Sequence, residues 1–328
     1  MRVGSGEHTY EWTDSWARIP DTESSRTGWA HHGIVVTEAG DIVAFHQGDP
    51  TMLIFDREGN LQRSWDIGLK EAHGITLVKE GDAEYLWISD SWEKPQHKHG
   101  YKVPEPEGPV SGQVVKVTLD GTIVQSLQRP DLQIYREGHY MPTSVAVNEE
   151  RHGGNGDVWV ADGYGQKYIH RYDRFGNYIS SINGEEGPAG AFNLPHGIFI
   201  DRRRSEPELY VADRWHRPVH VYDLEGNFKR VFGLDFLTSS SGFVTYGDLL
   251  IIAELGGRLA VLDADDKLVC YLGDNGKVSD TEGWPNVPAD LIVPGKFNSP
   301  HGIAVDGNGN LYVAEWLIGG RITKLAKS

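Results

Sequence analysis

The apolar residues of this chain occur in short runs of about strand length, separated by glycine, aspartate and asparagine. Residues 32–66 read HGIVVTEAGDIVAFHQGDPTMLIFDREGNLQRSWD, and residues 196–233 read HGIFIDRRRSEPELYVADRWHRPVHVYDLEGNFKRVFG. Turn sequences such as Asp-Gly and Glu-Gly-Asn separate the runs, as they do between the strands of β-hairpins. The pattern predicts an all-β chain, and a total of 40 glycines agrees with many tight turns.

The same unit recurs along the chain. Its copies begin at His32, His73, Thr143, His196, Ser241 and His301. Six units of roughly 35–55 residues, each with four short strands, are typical of a six-bladed β-propeller. The last unit ends after its third strand, at residues 321–325, so we expect residues 9–15 to supply the missing outer strand and close the last blade. Residues 1–328 then form a single domain.

The charge and composition of the chain limit the kinds of partner that it can bind. The chain has 31 Lys and Arg against 47 Asp and Glu, a formal charge of −16. A protein that follows a phosphate backbone needs a basic face, so we expect no nucleic acid partner. We also expect no membrane partner and a cytoplasmic protein, since no apolar run has the length of a membrane span or a signal peptide. Secretion of a longer form stays open. The single cysteine, Cys270, lies in an alternating run and is predicted to be a buried strand thiol.

Four of the six units begin with histidine: His32, His73, His196 and His301. The innermost strands of a propeller run along its central channel, so equivalent positions come round one opening. Three imidazoles with an open fourth position suit catalytic zinc. The alternative is that His-Gly merely begins a strand and the ring caps a neighbour. Four histidines at equivalent positions favour a metal or catalytic site.

A second repeated position closes the next strand of each unit. It is acidic in five units, with Asp90, Asp162, Asp213, Glu254 and Glu315. A carboxylate here can accept hydrogen bonds from backbone N–H groups of the following turn, which is a structural role. We favour that role for most of them, and regard Glu254 and Glu315 as the candidates for substrate binding because their side chains are longer.

Tyr164 and Arg214 follow two of these carboxylates, in Asp-Gly-Tyr and Asp-Arg-Trp. A phenol near a divalent cation becomes a usable base, because nearby positive charge favours its ionised form. A guanidinium can capture a substrate carboxylate with two hydrogen bonds. Taken singly, Tyr164 could be a packing residue and Arg214 a surface ion pair. Beside the histidines they form a candidate active site.

The His-Gly-Ile steps and the Tyr-Val-Ala-Asp sequence resemble the repeat family named after Asn-His-Leu, the NHL repeats. Residues 141–233 further resemble the catalytic core of peptidyl-α-hydroxyglycine α-amidating lyase, a six-bladed propeller that cleaves a carbinolamide to an amide and glyoxylate. The resemblance implies a zinc ion held by His73, His196 and His301. It also implies that Tyr164 is the catalytic tyrosine and Arg214 one of two active-site arginines.

Three positions depart from that family. Its second arginine is Gln47 here, and a methionine before the third histidine is Ser299, so both residues belong to a candidate substrate pocket of different character. An aspartate that helps to hold a structural calcium is Gly302, which leaves calcium with little support. His32 is an additional histidine, and could be a fourth ligand, a general base or a substrate contact.

The insertion at residues 92–112 is polar and rich in proline and glycine, which is typical of a loop or lid. It contains His97 and His99, but two histidines spaced by two residues in a loop commonly occur by chance.

Three functions remain. A zinc-dependent lyase acting on a small carbinolamide-like or α-hydroxy substrate is the hypothesis that the histidines favour. A lactonase-like hydrolase is the first alternative, although such propellers hold their metal mainly with carboxylates and asparagine. A non-catalytic NHL-repeat binding module is the second. For all three we expect a monomer or a weak oligomer.

Overall fold

We analysed a computed structural model that describes residues 1–30, 33–92 and 108–328. His32, His97 and His99 lie outside the described residues. The described part contains 25 β-strands, one short α-helix and four 3₁₀ turns. The predicted fold is confirmed, since the chain is an all-β six-bladed propeller with six sheets, here called blades 1 to 6 in chain order.

The strands follow one another in simple order. The chain starts with β1 (Arg2–Ser5) and β2 (His8–Thr13), then helix α1 (Glu23–Thr27). Blade 1 contains β3 to β6 (Ile34–Val36, Ile42–Phe45, Met52–Phe55 and Leu61–Trp65). Blade 2 contains β7 to β10 (Ala72–Glu80, Ala83–Asp90, Gln113–Thr118 and Ile123–Leu127). Blade 3 contains β11 to β14 (Ser144–Val147, Val158–Ala161, Ile169–Tyr172 and Tyr178–Ile182).

The remaining blades repeat this arrangement. Blade 4 contains β15 to β18 (Pro195–Asp201, Glu208–Asp213, Val219–Tyr222 and Phe228–Phe232). Blade 5 contains β19 to β22 (Ser240–Tyr246, Leu249–Glu254, Arg258–Leu262 and Leu268–Leu272). Blade 6 contains β23 to β25 (Pro300–Val305, Leu311–Glu315 and Arg321–Lys327). The 3₁₀ turns are Gln133–Tyr135, Glu150–His152, Val278–Asp280 and Ala289–Leu291.

The N-terminus closes blade 6, as predicted. Strand β2 pairs antiparallel with β25, with Tyr10 opposite Lys327 and Thr13 opposite Lys324. The alternating sequence HTYEWT buries Tyr10 and Trp12 and exposes the residues between them more. Strand β1 adds a fifth strand outside β2, which the repeat pattern did not predict. Pairing β2 with β25 covers the backbone edge that a three-stranded blade would leave open.

The chain divides into two compact units of three blades each. One unit contains blades 1, 5 and 6, and its cores are built around residues such as Trp12, Leu259 and Tyr312. The other contains blades 2, 3 and 4, with cores around Trp159 and Tyr172. Whether residues 1–328 are one domain stays a prediction.

Burial increases from the outer strand of a blade toward its second strand. All residues of β16 (ELYVAD) are buried, whereas β14 (YISSI) is half-buried or exposed over most of its length. A strand covered on both faces has a continuous apolar sequence, and an outer strand can alternate. Cys270 lies on the outer strand β22 and is therefore half-buried rather than fully buried. No helix in the described ranges has the length and apolar character needed to cross a membrane.

Candidate metal centre

The three described histidines that begin an inner strand, His73, His196 and His301, lie at breaks in the strand register. The register shifts between Ala72 and Gly74, between Pro195 and Gly197, and between Pro300 and Gly302. A β-bulge inserts one unpaired residue and turns its side chain away from the regular alternation. The histidine is the inserted residue in all three cases. The sequence step X-His-Gly therefore encodes a side chain directed out of the sheet.

His73 and His196 meet Tyr164 within blades 2 to 4. The Nε2 atoms of His73 and His196 are 3.1 Å apart. The Tyr164 hydroxyl lies 3.1 Å from the Nε2 of His73 and 3.1 Å from the Nε2 of His196. Three polar groups from three blades thus converge on one point.

The backbone orients the His73 ring. Its Nδ1 lies 2.7 Å from the carbonyl oxygen of Thr143. A carbonyl only accepts, so Nδ1 carries the proton and Nε2 presents a lone pair. Histidines that ligate metals commonly donate their second N–H in this way, which fixes the tautomer and the direction of the ring. His73 is therefore prepared to act as a ligand through Nε2.

The third histidine of the set is His301. The candidate ligand nitrogens of His73, His196 and His301 all lie within 4.8 Å of one another, and all three residues are buried. Two nitrogens bound to one zinc ion at about 2.0–2.1 Å in tetrahedral geometry are about 3.3 Å apart. The 3.1 Å between His73 and His196 is close to that value. The donor set therefore fits a small tetrahedral cation that prefers imidazole.

In blades 2 to 6, the acidic residue at the end of the second strand holds the segment that leads into the inner strand. Asp213 accepts from the backbone N–H of Asn193 at 3.0 Å and of Leu194 at 2.8 Å, two residues before His196. Asp90 accepts from the N–H of Glu71 at 2.6 Å, two residues before His73. The structural role weighed for these carboxylates is thus present, but most donors precede the histidine instead of following the carboxylate.

Glu254 and Glu315 have the same position in blades 5 and 6. Both are fully buried. Glu315 accepts from the backbone N–H groups of Asn298 and Ser299, at 2.6 and 3.0 Å, and pairs with Arg321. Glu254 accepts from the Thr238 hydroxyl at 2.9 Å and pairs with Arg258 at 2.7 Å. These contacts are structural, and a part in substrate binding stays a prediction.

The other candidate residues lie in the loops next to these positions. Arg214 is buried, with 3% of its surface exposed, and its backbone N–H donates to the carbonyl of Leu194 at 2.9 Å. Gln47 is half-buried, and its Oε1 accepts from the N–H of Trp29 at 3.3 Å. Ser299 is fully buried and donates from Oγ to the carbonyl of Trp316 at 2.6 Å. Ser299 therefore braces the approach to His301.

Sequence reasoning missed the aromatic residues of this region. Trp316 follows Glu315 as Arg214 follows Asp213, and its ring stacks on Trp29 with centroids 5.3 Å apart. The sequence also contained no indication of Tyr135 and His170, of which Tyr135 donates a hydrogen bond to Asp162 and His170 is bonded to Tyr135. Its position in the repeat, equivalent to that of Arg214, could have identified Trp316 as a candidate site residue. No periodic signal exists for Tyr135, which comes from a connection between blades.

Comparison with known proteins gives one family match and several distant relatives. Residues 297–316, which include His301 and Glu315, match the NHL repeat family. NHL repeat-containing protein 3 of Homo sapiens is 26% identical over 283 residues, covering 81% of this chain and 70% of that protein. Peptidyl-alpha-hydroxyglycine alpha-amidating lyase 1 of Drosophila melanogaster is 27% identical over 319 residues, covering 85% of this chain and 53% of that protein.

A probable amidating lyase of Caenorhabditis elegans is 27% identical over 217 residues, covering 58% of this chain and 54% of that protein. The chain thus spans about half the length of the two lyases. Among solved structures, a streptogramin B lyase has a TM-score of 0.57 at 14% identity, over 97% of this chain and 98% of that one. That likeness supports the fold alone. The chain is therefore a six-bladed propeller that carries one match to the NHL repeat, at residues 297–316, and is similar in sequence to proteins named as amidating lyases.

Proposed function

We propose that this protein is a zinc-dependent lyase that acts on a small carbinolamide-like or α-hydroxy substrate. One observation carries the proposal, namely the buried cluster of His73, His196 and His301 with a phenol beside it. The distant relatives named as amidating lyases support the same reaction class.

The donor set decides which metal we propose. Three neutral imidazoles suit zinc, with a fourth position for substrate, whereas calcium takes six to eight oxygen ligands. His73, His196 and His301 would hold the ion, and calcium has no support from this cluster. A bound zinc ion supplies a Lewis acid that lowers the pKa of a coordinated hydroxyl by several units.

Tyr164 is proposed as the general base. Its hydroxyl is within hydrogen-bond distance of two of the candidate ligands, His73 and His196. A substrate hydroxyl bound beside these ligands would therefore also lie within hydrogen-bond distance of Tyr164. Taking the hydroxyl proton lets the oxygen's electron pair form a carbonyl as the C–N bond breaks. The departing amide nitrogen then takes a proton, and the products are an amide and an aldehyde acid such as glyoxylate.

The substrate pocket is proposed to include Arg214, Gln47, Ser299, Glu254 and Glu315. Arg214 would bind a substrate carboxylate, and Gln47 would offer a neutral hydrogen-bonding amide where the amidating family has a second arginine. His32, outside the described residues, is proposed as a further catalytic group. A pocket with one arginine holds a carboxylate less firmly than one with two.

The test is incubation with α-hydroxyhippurate and an assay for glyoxylate. We expect glyoxylate release that stops on chelation and falls at least about 100-fold in Tyr164→Phe, the usual size of a general-base contribution. Tyr85→Phe is the matched control, because Tyr85 is a half-buried tyrosine of the same half of the chain whose ring packs against Lys116, away from Tyr164. Rapid lactone opening without glyoxylate would reverse the proposal in favour of a hydrolase.

A binding module without chemistry is the second candidate. The observation in its favour is that NHL repeat-containing protein 3 is similar over more of its own length than either lyase is. A protein that retains no metal and turns over neither substrate would support it.

A further inference from the structure

The loop that carries Tyr164 is tied to one buried carboxylate. Asp162 accepts from the N–H of Met141 at 2.6 Å through Oδ1, and from the N–H of Gln166 at 2.7 Å through Oδ2. Tyr164 itself donates its N–H to the carbonyl of Met141 at 3.3 Å. One side chain therefore holds both the strand entry beneath Tyr164 and the residue two positions after it.

The two glycines beside Tyr164 show how closely the loop surrounds this carboxylate. A Cβ added at Gly165 would lie 2.2 Å from Oδ1 of Asp162, and one added at Gly163 would lie 2.5 Å from the carbonyl oxygen of Pro195. Both distances are far inside van der Waals contact. The sequence Asp-Gly-Tyr-Gly is thus required by the packing of the loop, not by unusual backbone angles.

Tyr135, which is itself bonded to His170, holds Asp162 from the other side. The Tyr135 hydroxyl donates to Oδ2 of Asp162 at 2.7 Å and lies 2.6 Å from Nε2 of His170. Since the single hydroxyl proton goes to the carboxylate, Nε2 of His170 donates to the Tyr135 oxygen. The Nδ1 of His170 then accepts from the Ser181 hydroxyl at 2.7 Å. Protons are thus consistently arranged along the whole chain of bonds, from Ser181 to Asp162.

Blade 4 shows that this arrangement is not a general feature of the repeat. His220 has the position of His170, opposite Val211 as His170 is opposite Val160. Yet neither ring nitrogen of His220 has a hydrogen-bond partner within the described residues, and its Nε2 is 3.9 Å from Asp213. The bridging tyrosine, from the turn before blade 3, contacts the blade whose loop carries Tyr164.

We infer that Tyr135, Asp162 and His170 are positioning residues that fix the Tyr164 phenol against His73 and His196. The inference rests on the proposed role of Tyr164 as a base. The network touches neither substrate nor metal ligand, and it acts through the backbone on both sides of Tyr164.

Hydrogen exchange of the zinc-loaded protein tests this placement without any substrate. In Tyr135→Phe, which removes only the bridging hydroxyl, we expect the amides of residues 163–167 to exchange about tenfold faster, as expected when a buried hydrogen bond is lost. The control is Tyr172→Phe in blade 3, which removes a hydroxyl that donates to the carbonyl oxygen of Gln128 at 3.0 Å and not to Asp162. Ser181→Ala, at the far end of the chain of bonds, gives a milder variant if Tyr135→Phe folds poorly.

Turnover supplies the second readout. We expect kcat to fall about tenfold or more in Tyr135→Phe with KM and zinc affinity nearly unchanged, and the loss to vanish in a Tyr164→Phe background. If Tyr135 were purely structural, Tyr135→Phe would lower the stability of the protein, and its loss of kcat would add to the loss caused by Tyr164→Phe. Unchanged exchange at residues 163–167, or exchange equal to that of Tyr172→Phe, overturns the inference. If the wild type releases no glyoxylate, the proposed function fails while the exchange result still decides the positioning.

Discussion

Asp213→Asn is the most direct test of how the strand entry before His196 is held. Asp213 is fully buried, and it accepts from the backbone N–H of Asn193 and Leu194 and from Nδ1 of His216 at 2.7 Å. Asp213→Asn keeps the shape of the side chain. It replaces one acceptor oxygen with an NH₂ group that faces a donor.

The expected cost follows from these contacts. A hydrogen bond to a charged group contributes about 1.5–3 kcal/mol, and an unsatisfied buried donor costs about 1–3 kcal/mol. Because the asparagine oxygen retains part of the bonding, we expect a loss of about 2–4 kcal/mol in the free energy of unfolding. The strand entry before His196 then loosens, and zinc affinity falls about tenfold or more, as when a partner of a metal ligand is removed.

Urea unfolding in the presence of a chelator measures the first effect, and zinc competition with a chromophoric chelator measures the second. The control is Asp223→Asn in the same blade, where the carboxylate accepts from Glu225 and Asn227 at 3.0 and 2.8 Å in an exposed turn. That variant should lose less than about 1 kcal/mol and keep its zinc affinity. Equal losses of stability and equal zinc affinities in the two variants would refute the reasoning.

Three further outcomes are expected. His196→Ala should lose zinc and turnover but keep its far-UV circular dichroism and cooperative unfolding, because neighbouring strands bury the core; global unfolding would make the histidine structural. Burial lowers the pKa of His170 from 6.5 to about 3, so its neutral form contributes stability above pH 6.5 that is lost as the pH falls toward 3. His170→Gln can still donate to Tyr135 but does not titrate, so it should lose less stability than the wild type between pH 6.5 and 3. The two losses should differ by at most about 4–5 kcal/mol, and an unchanged pH dependence of the free energy of unfolding would contradict this. Gln47→Arg should lower KM for α-hydroxyhippurate about tenfold with little change in kcat, since a second guanidinium restores bidentate binding of a carboxylate; an unchanged KM would show that Gln47 does not contact that group.

Repetition made the fold predictable from the sequence. Each unit repeats the same order of strands and turns, and the missing outer strand of the last unit pointed to the N-terminal segment. The fifth strand β1 was not predictable, because nothing in the repeat requires a partner for β2. The histidine step could be found for the same reason as the blades, since a bulge at an inner-strand start recurs in the same sequence context.

The residues around the candidate site were less predictable, because they lie in segments that connect the blades and do not repeat. Tyr135 lies in a 3₁₀ turn between blades 2 and 3, and its partner Asp162 is one of five acidic residues that look alike in sequence. Which backbone groups a carboxylate accepts from depends on how the chain enters the next strand, and local sequence does not specify that. The substrate pocket is subject to the same difficulty, since Gln47 and Ser299 are bonded to backbone of neighbouring segments.

Metal analysis of the purified protein tests the central claim most directly. We predict about one tightly held zinc ion per chain, the stoichiometry of a three-histidine catalytic site, and a lower melting temperature after chelation that zinc restores. A chain that is purified without metal, takes up no zinc in equilibrium dialysis and melts at the same temperature with or without chelator would contradict the account.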